Sequence, residues 1–235
     1  MNEPPISGTE KPYTTIASWY DILDYYWEKR RYAKARCGVW KLAKGPRILD
    51  AGAGTGRNIP YYPPGDFVDA IDLSPAMLTK AKKRAELRSA HTKKNTLKTT
   101  PKENQKKSEP RGNPAAIQFH QMDICNLGFS SNTFDSIVST FVLCVLSPEK
   151  EEEAIRELWR VLKPGKRLIV LDYTYSLNTF RRAIQKLFSP LIRALYGTRL
   201  DSPTRELIEQ RFTIEAVRFL HADTLRLIVA CKRIK

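Results

Sequence analysis

The sequence predicts an α/β fold: a seven-stranded, mostly parallel sheet with a C-terminal antiparallel hairpin and helices on both faces. Three observations carry this. Short apolar runs such as "RILD", "FVDAID" and "RLIVLD" read as strands buried on both faces. Helical patterns or long crossovers separate them, as parallel pairing requires. Near the C-terminus, "RFTIEAVRFL" (211–220) and "DTLRLIVACKR" (223–233) read as a closing hairpin.

Each element has its own signal. "SWYDILDYYWEKRRYAKARCGVWKLAKG" (18–45) predicts a helix, with Ile22, Tyr25, Tyr26, Trp27 and Tyr32 on one broad side and basic residues on the other. It divides an N-terminal helical segment (1–45) from a main domain (46–235). "PRILD" (46–50) is the first strand. "RNIPYY" starts a helix or turn that Pro60 and "PPG" (63–65) keep short. "DFVDAIDLS" (66–74) is the second strand. Ser74 as N-cap and Pro75 at the first helical position start a helix over 74–89.

Residues 89–114 contain almost no apolar side chain and read as a long, basic, flexible insertion. "AIQFHQMD" (116–123) is the third strand, and 134–146 hold the fourth. "PEKEEEAIRELWRVLKPG" (148–165) is a helix with acids in its first turn, where they suit the macrodipole. "KRLIVLDY" (166–173) is the fifth strand. In 176–197, Leu177, Phe180, Ile184, Leu187, Phe188, Leu191, Ile192 and Leu195 recur at helical spacing. Arg181, Arg182, Lys186 and Arg193 surround them, and Pro190 is expected to break or kink the run. This stretch is either a crossover helix capping the sheet or an apolar lid over a lipid-like acceptor, lying against an anionic membrane.

Composition narrows the classes. A chain of 235 residues with 42% hydrophobic residues suits one globular domain. "MNEPPISGTEKPYTT" is neither a signal peptide nor a good transit peptide, so an intracellular, cytoplasmic address is expected, with a membrane-peripheral or organellar one left open. Cys37, Cys125, Cys144 and Cys231 form no CxxC pair, which argues against a zinc site or a disulfide framework. Of the net charge of +15, residues 80–111 supply +9 from 12 Lys/Arg and 3 acids. That stretch is either a solvated loop or an arm for RNA or acidic lipid. The insertion has no aromatic residue on which bases could stack, so nucleic acid is the less favoured partner.

The chemistry concentrates in "LDAGAGTGRN". Gly52, Gly54 and Gly56 leave bare backbone between a strand and an expected helix N-terminus. Asp72, 22 residues beyond Asp50, ends the second strand, where a carboxylate can accept bonds from ribose hydroxyls. The pattern is G-x-G-x-G after an acid. Asp50 would repel a pyrophosphate and suits a ligand with an ammonium group.

These residues resemble motif I of the class I S-adenosylmethionine-dependent methyltransferases, which have a Rossmann-like fold. "VDAIDLSPAML" resembles their second motif. "FHQMDICNLGFSSNTFDSIVSTFVLCVL" is similar to their D-x-x-x-L-P-F-x-x-x-x-F-D segment, with Gly128 for Pro. "ELWRVLKPGKRLIVLDY" is similar to R-V-L-K-P-G-G-x-L, with Lys166 for the second Gly. The resemblance covers about 45–175 and is nearest the ubiquinone/menaquinone C-methyltransferases, phospholipid N-methyltransferases and small-thiol methyltransferases.

It implies S-adenosylmethionine as cofactor and a small or lipid-like acceptor: a quinol, a phospholipid amine or a thiol. Asp50, Gly52 and Gly54 would hold the methionine end, Gly56 would belong to the same cofactor-binding loop, and Asp72 would bind the ribose. Leu73 and Met77 would lie against adenine, with Asp123 accepting from its amino group and Ile124 packing on the ring. Thr140 and Phe141 would face the sulfonium and the acceptor. Tyr173 is a candidate for orienting the acceptor, and Tyr20 resembles the aromatic of an N-terminal lid. The less favoured reading makes Leu73, Met77 and Ile124 plain core residues and Asp123 a helix cap. An RNA methyltransferase and a non-catalytic assembly factor are the alternatives. Strand four ends "STFV", without the [DN]-P-P-[FYW] of exocyclic base methylation, which disfavours the first. The intact glycine loop argues against the second. Cys144 and His120 read as structural, and His221 as solvated at a turn.

Overall fold

The structure is a computed structural model that describes residues 32–96 and 115–234. Tyr20, the first half of the expected first helix (18–31) and residues 97–114 of the basic insertion lie outside the described residues. Helix α1 spans Ala33–Trp40, β1 Arg47–Ala51, β2 Phe67–Asp72, α2 Pro75–Thr96 and β3 Ala116–Gln121. They are followed by β4 (Phe134–Thr140), α3 (Pro148–Val161), β5 (Leu162–Tyr173), α4 (Thr179–Tyr196), α5 (Thr204–Arg211), β6 (Phe212–Leu220) and β7 (Leu225–Lys232).

The seven strands form one sheet in the order β3-β2-β1-β4-β5-β7-β6. Strands β1 to β5 run parallel, and β7 pairs antiparallel with both β5 and β6. The strand alternation expected of a doubly covered sheet is explicit. Leu49, Ile137 and Leu168 face one core with Ile155 and Leu158 of α3 and Ile208 of α5. Their neighbours Ile48, Val138 and Ile169 face the other, with Trp40 of α1 and Ala81 of α2. Chain order reverses between β1 and β4, which opens a crevice at their carboxyl ends.

Several boundaries differ from the sequence expectation. The first helix stops at Trp40, not at 45, because the chain turns into β1 through Gly45 at φ +110°, where a Cβ would overlap Asp135. Helix α2 runs on to Thr96, past the expected end at 89. Ala90, Lys93 and Lys94 favour helix there, and no Gly or Pro intervenes before Pro101. Helix α3 ends at Val161 rather than 165, and β5 starts at Leu162, already extended at ψ 137° and paired with Phe134. Pro164 disfavours helical backbone at the residue before it. Strand β3 closes at Gln121 rather than 123, and the Met122 N–H makes the last bond of its ladder, to the Asp72 carbonyl.

Helix α4 departs furthest from the expectation. Pro190 lies inside it and does not break it. The Lys186 carbonyl, left without its donor by Pro190, accepts from Ser189 Oγ at 3.0 Å. The helix does not cap the sheet. Apart from Gln185, Ser189 and Ile192, every described side chain from Leu177 to Tyr196 is exposed. No helix among the described residues is long and apolar enough to cross a membrane.

Asp172 is buried at the end of β5, opposite Arg226 of β7. Burial pushes its pKa up to about 7, and the nearby Glu151 charge adds to the rise. Unfolded, the group titrates near ~3.9. Its raised folded value therefore stabilises the protein at low pH, and that contribution is lost as pH rises through about 7. Asp172→Asn removes the titration. The melting temperature of the variant relative to the parent should rise between pH 4 and 7 by on the order of 5 °C and then level off. A difference that does not change with pH would disprove this account.

Candidate functional site

The carboxyl ends of β1 to β5 enclose a cavity of about 470 Å³, a size typical of small-molecule sites. The glycine loop forms one wall. At Gly52 the backbone has φ +89°, and a Cβ would overlap Val142 after β4. Gly54 has φ +55° and nothing within 4 Å of where its Cβ would be, so bare backbone edges the cavity there. The loop does not lead into an α-helix. It continues through turns to a short 3-10 helix at Ile59–Tyr61.

With no helix N-terminus behind the loop, its N–H groups are held by β2. Gly52 and Ala53 donate to the Ile71 carbonyl at 3.0 and 2.8 Å. Gly54 donates to Asp72 Oδ2 at 2.8 Å, and Ser74 to Oδ1 at 2.9 Å. Each Asp72 oxygen thus accepts one backbone bond and retains acceptor capacity toward the cavity it lines. Burial raises the Asp72 pKa, and the two backbone bonds oppose that rise.

Asp50 and Gly56 sit elsewhere. Gly56 turns away from the cavity at φ +79°, where a Cβ would lie 2.9 Å from the Ala81 backbone. It sets how closely the loop packs on α2. Asp50 is fully buried beneath the cavity wall. Its carboxylate accepts from Tyr62 Oη at 2.5 Å and from Asn58 Nδ2 at 2.9 and 3.0 Å. Burial pushes its pKa up to about 6 despite those donors and Arg36.

The network continues to the cavity. Asn58 Nδ2 also donates to Thr140 Oγ1 at 3.1 Å, and Arg36 Nη1 donates to Asn58 Oδ1 at 2.7 Å and Thr140 Oγ1 at 2.9 Å. Arg36 and Thr140 both line the cavity. The Arg36 guanidinium lies 5.0 Å from the centre of the Phe141 ring, a cation–π contact.

Phe141 has a left-handed backbone, φ 61°. Its ring lies 4.7 Å from that of Tyr173 and 5.4 Å from that of Tyr32, and all three line the cavity. Across from this aromatic cluster, Leu73, Met77, Asp123 and Ile124 form the remaining wall. Asp123 Oδ1 accepts from the Cys125 N–H at 2.9 Å, so it closes a turn and caps no helix. Among the described residues, Asp72 and Asp123 are the carboxylates of the lining, which contains no His, Glu or Cys.

Other candidates fall outside the cavity. Cys144 is buried, and burial raises its thiol pKa well above the ordinary value. His120 contacts Asp69 at 2.7 Å on the β2–β3 side. His221 is exposed at the hairpin turn, with its ring 6.5 Å from that of Tyr32. Sequence reasoning missed Arg36, Arg57 and Lys150, which also line the cavity. Arg36 sits in a basic helix whose spacing does not single it out.

Comparison with known proteins agrees with this architecture. Residues 49–170 match the family described as methyltransferase domain. The chain is 29% identical over 131 residues to a phosphatidylethanolamine N-methyltransferase of Cereibacter sphaeroides, covering 56% of this chain and 52% of that protein. It is 28% identical over 185 residues to a demethylmenaquinone methyltransferase of Paenarthrobacter aurescens, covering 77% of this chain and 60% of that one. The chain thus spans little more than half the length of these relatives. The N-methyltransferase NodS of Bradyrhizobium japonicum, solved with S-adenosyl-L-homocysteine, shares the fold at a TM-score of 0.59 and 14% identity, covering 85% of this chain and 86% of that one.

Because Asp50 has a folded pKa raised to about 6, the stability it provides is present at low pH and lost as pH rises through that value. Tyr62→Phe deletes a donor to the carboxylate. It should cost about 1–3 kcal/mol at pH 8, where the charged form needs that donor, and less at pH 5. Urea unfolding at both pH values measures the difference, and an equal cost at each would contradict the assignment.

Proposed function

The chain belongs to the family of methyltransferase domains, and from that premise we propose that it transfers a methyl group from S-adenosylmethionine to a small or lipid-like acceptor. The observation that carries the reading is the pairing of bare backbone at Gly54 with the Asp72 carboxylate on one cavity wall. The residues fit the cofactor. Asp72 has acceptor capacity for ribose hydroxyls, and the open space at Gly54 admits a group against the backbone. Asp123 and Ile124, with Leu73 and Met77, supply one acceptor and an apolar wall for an adenine. Gly52 and Arg36 lie on the side assigned to the methionine moiety, where a carboxylate needs a cation. Asp50 and Gly56 serve this site indirectly, one by holding Asn58 and the other by seating the loop on α2.

When bound, the cofactor would supply a methyl carbon activated by a positive sulfur, with the neutral thioether as the leaving group as the methyl group passes to the acceptor. The chain is left with alignment and exclusion of water. Thr140 is fixed by Asn58 and Arg36. Phe141, Tyr173 and Tyr32 provide an aromatic surface for the acceptor. No His, Glu or Cys among the described lining offers a strong base, so the reading favours acceptors that need little proton removal. The two relatives are named for phosphatidylethanolamine and for demethylmenaquinone, which supports a lipid-like class.

Titration calorimetry with S-adenosylmethionine should show binding to the full chain that Asp72→Ala weakens about 10–100-fold, the range for losing hydrogen bonds to a charged acceptor. No binding, or binding unchanged in the variant, refutes the proposal. A methyl-transfer screen over quinols, phosphatidylethanolamine, small thiols and RNA then reads the acceptor. Activity on RNA alone would overturn the lipid-like assignment.

A further inference from the structure

Helix α4 is amphipathic but turned inside out. At about 100° per residue, Phe180, Ile184, Leu187, Phe188 and Leu191 fall within an arc of roughly 100°. All five are exposed, Phe180 at 73% and Leu187 at 74%. Toward the protein the helix presents Gln185, Ser189 and Ile192, its described side chains that are not exposed. Gln185 accepts from the Ser176 N–H at 2.7 Å and donates to the Thr174 carbonyl at 3.3 Å, and Arg182 Nε donates to the Ser176 carbonyl at 3.0 Å.

This orientation is built in at both ends. At the start, Asp223 of the β6–β7 turn accepts from Ser176 Oγ, the Leu177 N–H and Arg181. Asn178 caps the first turn through the Arg181 N–H at 3.0 Å. At the end, Gly197 closes the helix at φ 67°, donating to the Arg193 carbonyl. Arg199 then ties the chain to the Leu146 carbonyl and to buried Glu151. The apolar stripe is therefore held outward by specific bonds at each terminus.

The charge of the helix identifies what covers the stripe. Within Thr179–Tyr196 there are four basic residues, Arg181, Arg182, Lys186 and Arg193, and no Asp or Glu. An apolar face on a purely cationic helix complements a surface that is apolar inside and negative outside. We infer that the outward face of α4 is a docking surface for an anionic lipid bilayer, with Phe180, Ile184, Leu187, Phe188 and Leu191 entering the interface and the net positive charge of the helix drawing it to the headgroups. Thr179 is six positions beyond Tyr173, so the docking element leaves directly from a strand end that lines the cavity. The surface stands on its own geometry and does not depend on the identity of the acceptor.

The test is sedimentation of the full chain with vesicles of phosphatidylcholine alone or mixed with phosphatidylglycerol, at 0.05 M and 0.3 M salt. Binding should require the anionic lipid and weaken with salt. Phe180→Ser with Leu187→Ser keeps the net charge and should weaken binding at least tenfold, with the melting temperature and S-adenosylmethionine affinity unchanged. No sedimentation with anionic vesicles at low salt would overturn the inference. Binding that survives the double variant unaltered would also overturn it, placing the contact in the basic stretch 80–111. So would a dimer in lipid-free light scattering that the double variant dissolves, since a second copy would then cover the face. Failure of cofactor binding in parallel calorimetry would strike the proposed activity alone and leave the vesicle result standing.

Discussion

A single buried carboxylate organises the carboxyl end of the sheet. Asp50 is the last polar group of β1 before the glycine loop, and an isolated charge there would be costly. Tyr62 and Asn58 remove much of that cost by donating to both of its oxygens. Asn58 is thereby fixed, and through it Arg36 of α1 and Thr140 of β4. One residue thus links the first strand, the loop, the N-terminal helix and the fourth strand. Its pKa of about 6 shows that burial still outweighs its donors, so this junction is sensitive to pH.

The second dependence is between β2 and the glycine loop. Three successive N–H groups, from Gly52, Ala53 and Gly54, turn toward the end of β2. The loop needs no helix behind it because the neighbouring strand supplies its acceptors. Asp72 consequently has two duties, shaping the loop and facing the cavity. In many sites those duties fall to different residues, and here any change at position 72 alters both.

Much of the architecture was legible. The mostly parallel sheet with its closing hairpin follows from apolar runs separated by crossovers, and the loop that walls the cavity follows from glycines that nothing in a packed core requires. What was not legible depended on contacts distant in sequence. Arg36 owes its place to Asn58 and to Thr140, 104 positions away, and no local spacing reports such a pair. Asp50 could be recognised as an acid before the loop, but its buried direction follows from Tyr62, twelve residues on. The amphipathic period of α4 was plain, whereas its inverted orientation was not, because periodicity defines a face without saying which way it points. Boundaries moved where backbone chemistry overrode composition, as at Pro164 and along the Lys-rich end of α2.

Phe141 bears on how such a site can change over generations. Its left-handed backbone, φ 61°, carries a strain of about 1–3 kcal/mol for a residue that is not glycine. Glycine at this position would relieve that backbone strain. It would also remove the ring on which Tyr32, Arg36 and Tyr173 converge. Relief of the strain and retention of the ring's contacts therefore pull position 141 in opposite senses. A chain that keeps an aromatic at this corner keeps the strain together with the ring's contacts, and a relative with glycine there would have given up both.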